Sequence, residues 1–222
     1  MRRLTFWSPL IILLLSAYRI EDAEACSCTM SHPQTQFCQS DWVAVVRINK
    51  FVEFNDHEAA YKIKLQRIFK ATPKAEHALK QHLMLWTPSV DSLCGRVNME
   101  PGETWVVGGR MSGGKPHISL CNLAMRWAEV TGRQRKGFRQ FYNHGCVCHI
   151  LYTEWRNKGA VFNSTGGKEC LWESAPGPTD CQERYGICKV GKAGCSWELC
   201  YAYKKCVDKH QRDRDQQLAR EP

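Results

Sequence analysis

The sequence predicts a mainly β protein in which a small antiparallel barrel precedes a second, smaller domain rich in disulfide bonds. Two observations support this prediction. Short segments rich in β-branched and aromatic residues recur between residues 42 and 120, as expected of strands. Eight of the 13 cysteines then crowd between Cys146 and Cys206, among glycines and prolines, which is typical of a small domain held by disulfides rather than by a large core.

Four segments are predicted strands. Residues 42–48 form a continuous apolar run, and residues 61–65 alternate apolar with basic side chains. Residues 104–107 and 117–120 add two more, bracketed by the glycine pairs at 108–109 and 113–114, which suit turns or bulges. Four or five such strands fit a small antiparallel barrel.

Two short helices are expected beside these strands. Thr72 followed by Pro73 is typical of a helix start, so a helix is predicted over residues 74–83. Phe138, Phe141 and Tyr142 follow the i, i+3, i+4 spacing that gives a later helix one apolar face.

The ends of the chain indicate a secreted protein. Residues 1–25 have the features of a signal peptide, with two arginines, an apolar run and a small-x-small cleavage pattern at residues 23–25. The mature chain should therefore begin at Cys26. No later stretch reaches the roughly 18 apolar residues that cross a bilayer. Residues 208–222 are charged and polar and are predicted to be a disordered tail. We expect a soluble, extracellular product.

The cysteines suggest how the mature chain is divided. All 13 follow the predicted cleavage point, and in an oxidising compartment they indicate a disulfide framework. Their odd number leaves at least one without a partner in the chain. The change of character at Cys146 separates a barrel domain, residues 26–146, from a disulfide-rich domain, residues 147–207.

The charge narrows the choice of partner. The net charge is +9, and the charges of the leader cancel one another, so the mature chain keeps this excess. Outside the cell such a charge favours acidic partners, among them the sulfated glycans of the extracellular matrix, and it gives no reason to expect nucleic acid there.

The sequence does not resemble an enzyme. It has no HExxH, no GxSxG and no phosphate-binding glycine loop, and its thiols should be oxidised. No catalytic residue and no cofactor of its own are predicted. The run from Cys146 to His149 could be a zinc site, but no second Cys/His cluster is present to complete it, so disulfides are favoured.

The predicted first residue could bind a metal through its backbone. A free α-amino group and the carbonyl oxygen of Cys26 can form a five-membered chelate. The α-amino pKa is about 8, so the neutral form is accessible near neutral pH, and zinc accepts nitrogen and oxygen ligands. A catalytic zinc keeps one position open, which such a terminus could occupy. Taken alone, Cys26-Ser27-Cys28 would more simply indicate two disulfides near a terminus.

The sequence resembles the tissue inhibitors of metalloproteinases along nearly the whole mature chain. The matching motifs, in order, are Cys26-Ser27-Cys28, His32-Pro33-Gln34, Phe37-Cys38, Asp41, Cys94-Gly95, Gly108-Gly109, residues 117–121, Gly145-Cys146-Val147-Cys148, Cys170-Leu171-Trp172 and Cys195-Ser196-Trp197. Their order and separation match as well as their residues, so chance matches do not explain them.

The resemblance implies a fold and a set of disulfides. It implies a five-stranded OB-like (netrin-like) barrel with short flanking helices over residues 26–146, followed by the small disulfide-rich C-terminal domain. The implied pairs are Cys26 with Cys94, Cys28 with Cys121, Cys38 with Cys146, Cys148 with Cys195 and Cys170 with Cys188. Cys181, Cys200 and Cys206 have no clear counterparts, and their pairing stays open.

The resemblance also implies an inhibitory surface, which we call the N-terminal ridge. It consists of two strips that the first two bridges bring together: Cys26, Ser27, Cys28, Thr29 and Met30, and Asp91, Ser92, Leu93 and Cys94. In this picture Cys26 chelates the catalytic zinc of a matrix metalloproteinase or related zinc metalloproteinase. Ser27 would enter the pocket for the substrate residue after the scissile bond. Met30 departs from the proline usual in the family.

One alternative function and one modification remain to be tested. The same barrel occurs in netrin-like modules that bind glycans or secreted factors without inhibiting proteases, although these usually carry residues before the first cysteine. Asn163 begins the one N-x-S/T motif of the sequence, so a secreted glycoprotein is expected.

Overall fold

The computed structural model describes residue 26 and residues 28–89, 94–153, 167–172, 179–192, 194–198 and 200–220, without the side chains of residues 214, 217 and 218. The described strands are β1 (Trp42–Glu53), β2 (Glu58–Ala71), β3 (Met84–Pro88), β4 (Thr104–Ser112), β5 (Lys115–His117), β6 (Ala124–Arg126), β7 (His149–Tyr152), β8 (Glu169–Trp172), β9 (Cys188–Gly191) and β10 (Gly194–Trp197). The described helices are α1 (Pro33–Gln39), α2 (Pro73–His82), α3 (Gly132–Lys136), α4 (Tyr142–His144), α5 (Cys181–Tyr185) and α6 (Tyr201–Leu218), and a π-helical turn, Gly137–Phe141, joins α3 to α4.

Five strands close into a ring, which confirms the predicted mainly β fold with an OB-like barrel. The strands pair in the order β1-β2-β3-β5-β4, and β4 pairs back onto β1. The contact between β3 and β5 is parallel and the others are antiparallel. Irregularities in the β1–β2 register, at three places along β1, bend this long strand so that it can pair on both sides.

The continuous apolar run of β1 is explained by burial on both of its faces. Ala44, Val46 and Ile48 belong to the core inside the barrel, together with Leu85 of β3. Val43 and Val45 lie on the other face of the strand and belong to a second core on the outside of the barrel. A strand buried on one face would have alternated apolar with polar residues.

Two expectations about β4 and β5 need correction. The glycines at 108 and 109 lie inside β4 rather than in a turn. Glycine is needed at position 109 because a side chain there would collide with the backbone of His117 and the ring of Trp42. The strand predicted over residues 117–120 ends at His117, since the hydrogen-bonded turn between Ser119 and Asn122 follows at once. The second glycine pair does form the β4–β5 turn, with φ values of 56° and 81°.

Both predicted helices are present. Thr72 caps α2 by accepting the backbone N–H of Ala75 at 3.2 Å, and Leu83 ends the helix in a left-handed conformation with φ 48°. The later helix contains a π-turn, where a side chain at Gly137 would collide with the ring of Tyr142. Phe138 and Tyr142 face the second core, as their spacing predicted.

The C-terminal segment packs directly against the barrel side of the molecule. Ile187, which is fully buried, completes the second core next to Phe37. At α3, Thr131 donates its hydroxyl to the carbonyl of Arg184 at 2.7 Å, and the Gln134 amide donates to the carbonyl of Glu183 at 3.2 Å. The two parts therefore share a core and partly buried hydrogen bonds.

The structure contains six disulfides. Five are the pairs that the resemblance implies, with Cα–Cα distances between 5.1 and 6.0 Å. The sixth joins Cys181 to Cys206, whose Cα atoms are 5.8 Å apart. All 13 cysteines lie in the described residues, and Cys200 alone among them has no disulfide. The run from Cys146 to His149 is thus part of two disulfides rather than a zinc site.

The tail differs from its prediction. Residues 208–218, expected to be disordered, form the second half of α6. The segment lacks glycine and proline and contains three glutamines, two arginines and one lysine, residue types that favour helix. The amide of Gln211 also donates to the carboxylate of Asp215 one turn later, at 2.9 Å. The disulfide at Cys206 anchors this helix to α5.

Candidate functional site

Two disulfides hold the start of the predicted mature chain against the barrel. The Cα atom of Cys26 lies 5.1 Å from that of Cys94, and the Cα atom of Cys28 lies 5.2 Å from that of Cys121. The Sγ atoms of Cys26 and Cys121 are only 3.9 Å apart, so the two bridges lie side by side. Residues 26 and 28 are therefore fixed to two different segments of the body.

These two segments are also bonded to each other. Leu120 donates its backbone N–H to the carbonyl oxygens of Cys94 and Gly95, both at 3.1 Å. Asn122 closes the turn that carries the second bridge, because its Oδ1 accepts the backbone N–H of Ser119 at 2.8 Å. The attachment points of the N-terminal strip thus form one connected support at the end of β5.

The described part of the N-terminal ridge is accessible. Cys26 and Cys28 are half-buried, whereas Thr29 is exposed and Met30 is 61% exposed. Leu120, beside the second bridge, is 54% exposed. Ser27, Asp91, Ser92 and Leu93 lie outside the described residues, as does Asn163. The structure therefore brings Cys26, Cys28 and Cys94 together, with the exposed side chains of Met30 and Leu120 beside them.

The sulfur atoms of this region cannot act as metal ligands. The Sγ atoms of Cys26, Cys28, Cys94 and Cys121 lie within 4.8 Å of one another, a spacing that would suit a metal ion. Each is bonded in a disulfide, however, and a metal needs the thiolate form. The four sulfur atoms are therefore unavailable to a metal ion.

His32 joins the N-terminal strip to the C-terminal segment. Its ring is 1% exposed and lies 5.3 Å from the ring of Trp172 and 5.2 Å from that of Trp197. Nδ1 accepts the backbone N–H of Gln34 at 3.1 Å, so Nε2 carries the proton and donates to the carbonyl of Gln182 at 3.2 Å. Burial lowers the pKa of His32 to about 4, which keeps the ring neutral.

Gln34 adds a second connection of the same kind. Its side-chain amide donates to the carbonyl of Cys188 at 2.7 Å and accepts the backbone N–H of Cys188 at 2.9 Å. Both hydrogen bonds are buried, and together they satisfy the backbone N–H and carbonyl of Cys188 as a neighbouring strand would. The chain that leaves Cys28 is thus fixed within six residues by His32 and Gln34.

The remaining motif residues near the start of the chain are structural. Phe37 is buried in the second core, and Lys70 donates to the carbonyls of Phe37 and Cys38 at the end of α1, at 3.1 and 2.7 Å. Asp41 accepts the backbone N–H of Met111 at 2.8 Å. These contacts hold α1 and the beginning of β1 in place and provide no reactive group.

Two features of this site were not predicted from the sequence. Leu120 was not assigned to the ridge, although its position beside Cys121 and the implied pairing with Cys28 could have placed it there. The contacts of His32 and Gln34 with the second domain had no signal in the sequence, because they join residues about 150 positions apart.

The fold and this site define a class of protein: a disulfide-bonded OB-like barrel whose N-terminal strip is anchored at the surface by two adjacent bridges. The family model for tissue inhibitor of metalloproteinase matches residues 24–197, so the chain belongs to this family. The chain is similar to the tissue inhibitor of metalloproteinase of Drosophila melanogaster, with 29% identity over 89% of this chain and 93% of the relative. It is similar to metalloproteinase inhibitor 3 of Xenopus laevis, with 31% identity over 79% and 81%, and of Gallus gallus, with 30% identity over 87% and 92%.

Family membership also agrees with the prediction that the chain is not an enzyme. A member of an inhibitor family is not an enzyme, as the missing catalytic motifs predicted. Among the helices that the structure describes, none is long and apolar enough to cross a membrane.

Proposed function

We propose that the mature, secreted chain begins at Cys26 and inhibits zinc metalloproteinases by chelating their catalytic zinc with the α-amino nitrogen and the carbonyl oxygen of this residue. The observation that carries the proposal is the pair of adjacent bridges at Cys26 and Cys28 in a chain that belongs to the tissue inhibitor of metalloproteinase family. The zinc belongs to the protease, and the inhibitor needs no cofactor of its own.

The bridges supply what a chelating terminus needs. A free N-terminus is usually mobile, and ordering it on binding would reduce affinity. The bridges to Cys94 and Cys121 span sequence separations of 68 and 93 residues, so they fix the terminus to the distant body of the barrel rather than to neighbouring residues. The ordering cost is then met during folding instead of during binding.

The ligand atoms follow from the state of the sulfur. The thiol of Cys26 is consumed by its bridge, and the remaining donors are the amino nitrogen and the carbonyl oxygen. The amino group, with an ordinary pKa of about 8, is neutral in a useful fraction near pH 7.5, and zinc binding would draw it further into that form. The two atoms would replace the water at the open position of the zinc.

The rest of the ridge would occupy the substrate cleft. Thr29 and Met30 are exposed and continue the strip, and Ser27 would enter the pocket beside the zinc. Residues 91–94 would form the second strip, since Cys94 is bonded to Cys26. The zinc would then face the terminal residue and not a scissile peptide bond, so the inhibitor would not be cleaved.

The proposal is tested with the secreted protein and a panel of purified proteases. Amino-terminal sequencing should give Cys26 as the first residue. Inhibition should be stoichiometric for at least one matrix metalloproteinase or related zinc enzyme, and a serine protease should serve as the unaffected control. A correctly folded protein that starts at Cys26 and inhibits none of the zinc enzymes would contradict the proposal.

A further inference from the structure

The two bridges that anchor the N-terminal strip bring four sulfur atoms into one group, which we call the sulfur cluster. The Sγ atoms of Cys26, Cys28, Cys94 and Cys121 all lie within 4.8 Å of one another. Sγ of Cys26 lies 3.9 Å from Sγ of Cys121, which belongs to the other bridge. Nowhere else in the part of the chain that the structure describes do four cysteine sulfurs lie so close together. Each sulfur of the cluster therefore has a second partner within short reach.

Exchanging the partners of the two bridges requires only small movements. Bonded sulfurs lie about 2.0 Å apart, so joining Cys26 to Cys121 needs an approach of about 2 Å from their separation of 3.9 Å. Cys28 and Cys94 lie within 4.8 Å, so joining them needs less than about 3 Å. Rotation about χ1 moves a cysteine sulfur by distances of this order. The exchange therefore does not require the barrel to unfold.

The segments that carry Cys94 and Cys121 are held together by hydrogen bonds as well as by the bridges. Leu120 donates its backbone N–H to the carbonyl oxygen of Cys94 at 3.1 Å. Ser119 donates its backbone N–H to Oδ1 of Asn122 at 2.8 Å and so closes the turn around Cys121. These bonds do not involve sulfur, so the two cysteines remain neighbours while a bridge is open.

The strip on the other side of the cluster can shift. Thr29 and Met30 are exposed, and the first buried side chain after Cys28 is that of His32. The backbone of Cys94 has a φ of 52°, a left-handed conformation that is unfavourable for a residue with a Cβ atom. Release of Cys94 from its bridge therefore costs few packing contacts and allows a strained backbone to relax.

The sulfur cluster is accessible, unlike another pair of neighbouring bridges. All four cysteines of the cluster are partly exposed. The bridges Cys148–Cys195 and Cys170–Cys188 also share a small core, but Cys148, Cys170 and Cys188 are at most 7% exposed. An external thiolate must reach a sulfur atom in order to attack it. Attack is therefore expected at the N-terminal bridges and not at this second pair.

We propose that the sulfur cluster is a thiol–disulfide exchange site, at which a small extracellular thiol such as glutathione swaps the partners of the two bridges. The thiolate of the small molecule attacks Sγ of Cys94, forms a mixed disulfide and expels the thiolate of Cys26. Cys26 attacks Cys121 and expels Cys28, and Cys28 attacks Cys94 and expels the small thiolate. The products are the bridges Cys26–Cys121 and Cys28–Cys94. Each step forms one S–S bond and breaks one, so no oxidant or reductant is consumed and the small thiol acts as a catalyst.

The swap would act as a switch on the inhibitory surface, and this consequence rests on the function proposed above. It ties Cys26 to the turn at Asn122 instead of to Cys94, so the terminal nitrogen moves relative to the second strip of the N-terminal ridge. The chelating atoms and the second strip then no longer form one continuous surface, and inhibition should fall. The exchange itself does not depend on inhibition and is tested separately.

The first experiment tests the contact between Cys26 and Cys121 without any external thiol. Cys28→Ser is made together with Cys200→Ser, so that Cys121 is left as the one cysteine without its partner. The folded protein is alkylated and cleaved with cyanogen bromide in acid, which stops exchange and cuts after methionine. Cys26, Cys94 and Cys121 then lie on fragments that end at Met30, Met99 and Met125. We expect Cys26 to be linked to Cys121 in at least a tenth of the chains, and linkage to Cys94 alone would overturn the proposal.

The second pair of neighbouring bridges provides the matched control. Cys148→Ser, again with Cys200→Ser, leaves Cys195 without its partner beside the buried bridge Cys170–Cys188. A tryptic map should show that this bridge is kept in nearly every chain. Rearrangement to the same extent as in the Cys28→Ser variant would mean general scrambling of the disulfides and would overturn the proposal of a local exchange site.

The second experiment keeps all six disulfides and so does not depend on the folding of a bridge-deficient variant. Cys200→Ser protein is treated with less than one equivalent of reduced glutathione, and the linked peptides are fragmented between residues 26 and 28 to assign the partner of each cysteine. We expect more swapped protein molecules than glutathione molecules were added, without lasting free thiols. Free thiols in proportion to the glutathione, with the original pairs elsewhere, would show simple reduction and would contradict the exchange.

Inhibition of a purified metalloproteinase is measured on the same samples. It should fall in proportion to the swapped fraction. Swapped protein that inhibits as well as untreated protein would overturn the switch. Absence of inhibition before treatment would count against the proposed function and not against the exchange, which the peptide map measures directly.

Discussion

Replacing His32 with alanine should weaken the connection between the N-terminal strip and the C-terminal segment. The ring is 1% exposed and lies against Trp172 and Trp197. Its loss would leave the N–H of Gln34 without its acceptor, would remove one of the two hydrogen bonds to the carbonyl of Gln182, which also accepts the N–H of Gly186, and would open a cavity. The buried unpaired N–H and the lost hydrogen bond each cost about 1 kcal/mol, and the cavity adds to this, so we expect a loss of about 3 kcal/mol in the free energy of unfolding at pH 7.

This loss should depend on pH in a defined way. Burial lowers the pKa of His32 from 6.5 to about 4, so between these values the unfolded chain binds a proton that the folded chain does not. Stability from this group is complete above pH 6.5 and is lost as pH falls toward 4. Between pH 7 and pH 5 the wild type should lose about 2 kcal/mol through this residue, a loss that the alanine variant cannot show.

Denaturant unfolding with intact disulfides, followed by tryptophan fluorescence, measures both effects. The difference between wild type and His32→Ala should shrink from about 3 kcal/mol at pH 7 to about 1 kcal/mol at pH 5. His77→Ala, at an exposed position of α2, is the control and should match wild type. A difference of the same size at both pH values would refute the idea that His32 is neutral and buried in solution.

Three further outcomes are expected. Ser27→Gly should weaken inhibition of all sensitive proteases and Ser27→Arg should change their ranking, because a pocket discriminates by what fits it; an unaltered profile in both variants would remove Ser27 from the pocket. Asn163 should be glycosylated in a eukaryotic secretory host, and the absence of a mass shift after N-glycosidase treatment would reject this. A chain ending at Val147 should still inhibit, because Cys26, Cys28 and Cys94 precede that point, but it should unfold at lower denaturant than the full chain, because it lacks Ile187 over Phe37 and the rings around His32. A three-disulfide fragment without inhibitory activity would show that the ridge is wrongly placed.

Local chemistry made part of the fold predictable. The cap at Thr72 and the proline after it gave the start of α2, since both act within a few residues. The apolar run of β1 predicted a strand for the same reason. The run is continuous, as expected of a strand buried on both faces, but it does not show what covers the second face, because the covering residues come from α1, the π-helical turn and residue 187.

Long-range features depended on the resemblance. Spacing alone leaves fifteen ways to join six cysteines, and the family pattern implied the three bridges that the structure has in the barrel. The family pattern has no counterparts for Cys181 and Cys206, so their bridge could not be predicted. The second half of α6, residues 208–218, was predicted to be disordered because all but the last of its residues are polar or charged, and such a segment has no apolar stripe to reveal a helix.

The N-terminal strip shows the same division. The chemistry of a terminal amino group could be argued from Cys26 alone, whereas the contacts that immobilise the strip involve residues 94, 121, 182 and 188. Such contacts have no local signature. They arise only when the barrel closes and the second domain packs against α1.

The proposed chelation is tested most directly by adding one alanine before Cys26. The extended protein keeps all six disulfides and every described contact, and it loses only the free α-amino group at the chelating residue. Even changes to residues behind a zinc ligand reduce affinity about tenfold to hundredfold, so loss of a ligand should raise the inhibition constant at least a hundredfold, or by about 2.7 kcal/mol or more. The inhibition constant of the folded, extended protein should rise by this amount against every sensitive metalloproteinase, and an unchanged constant would contradict zinc chelation by Cys26.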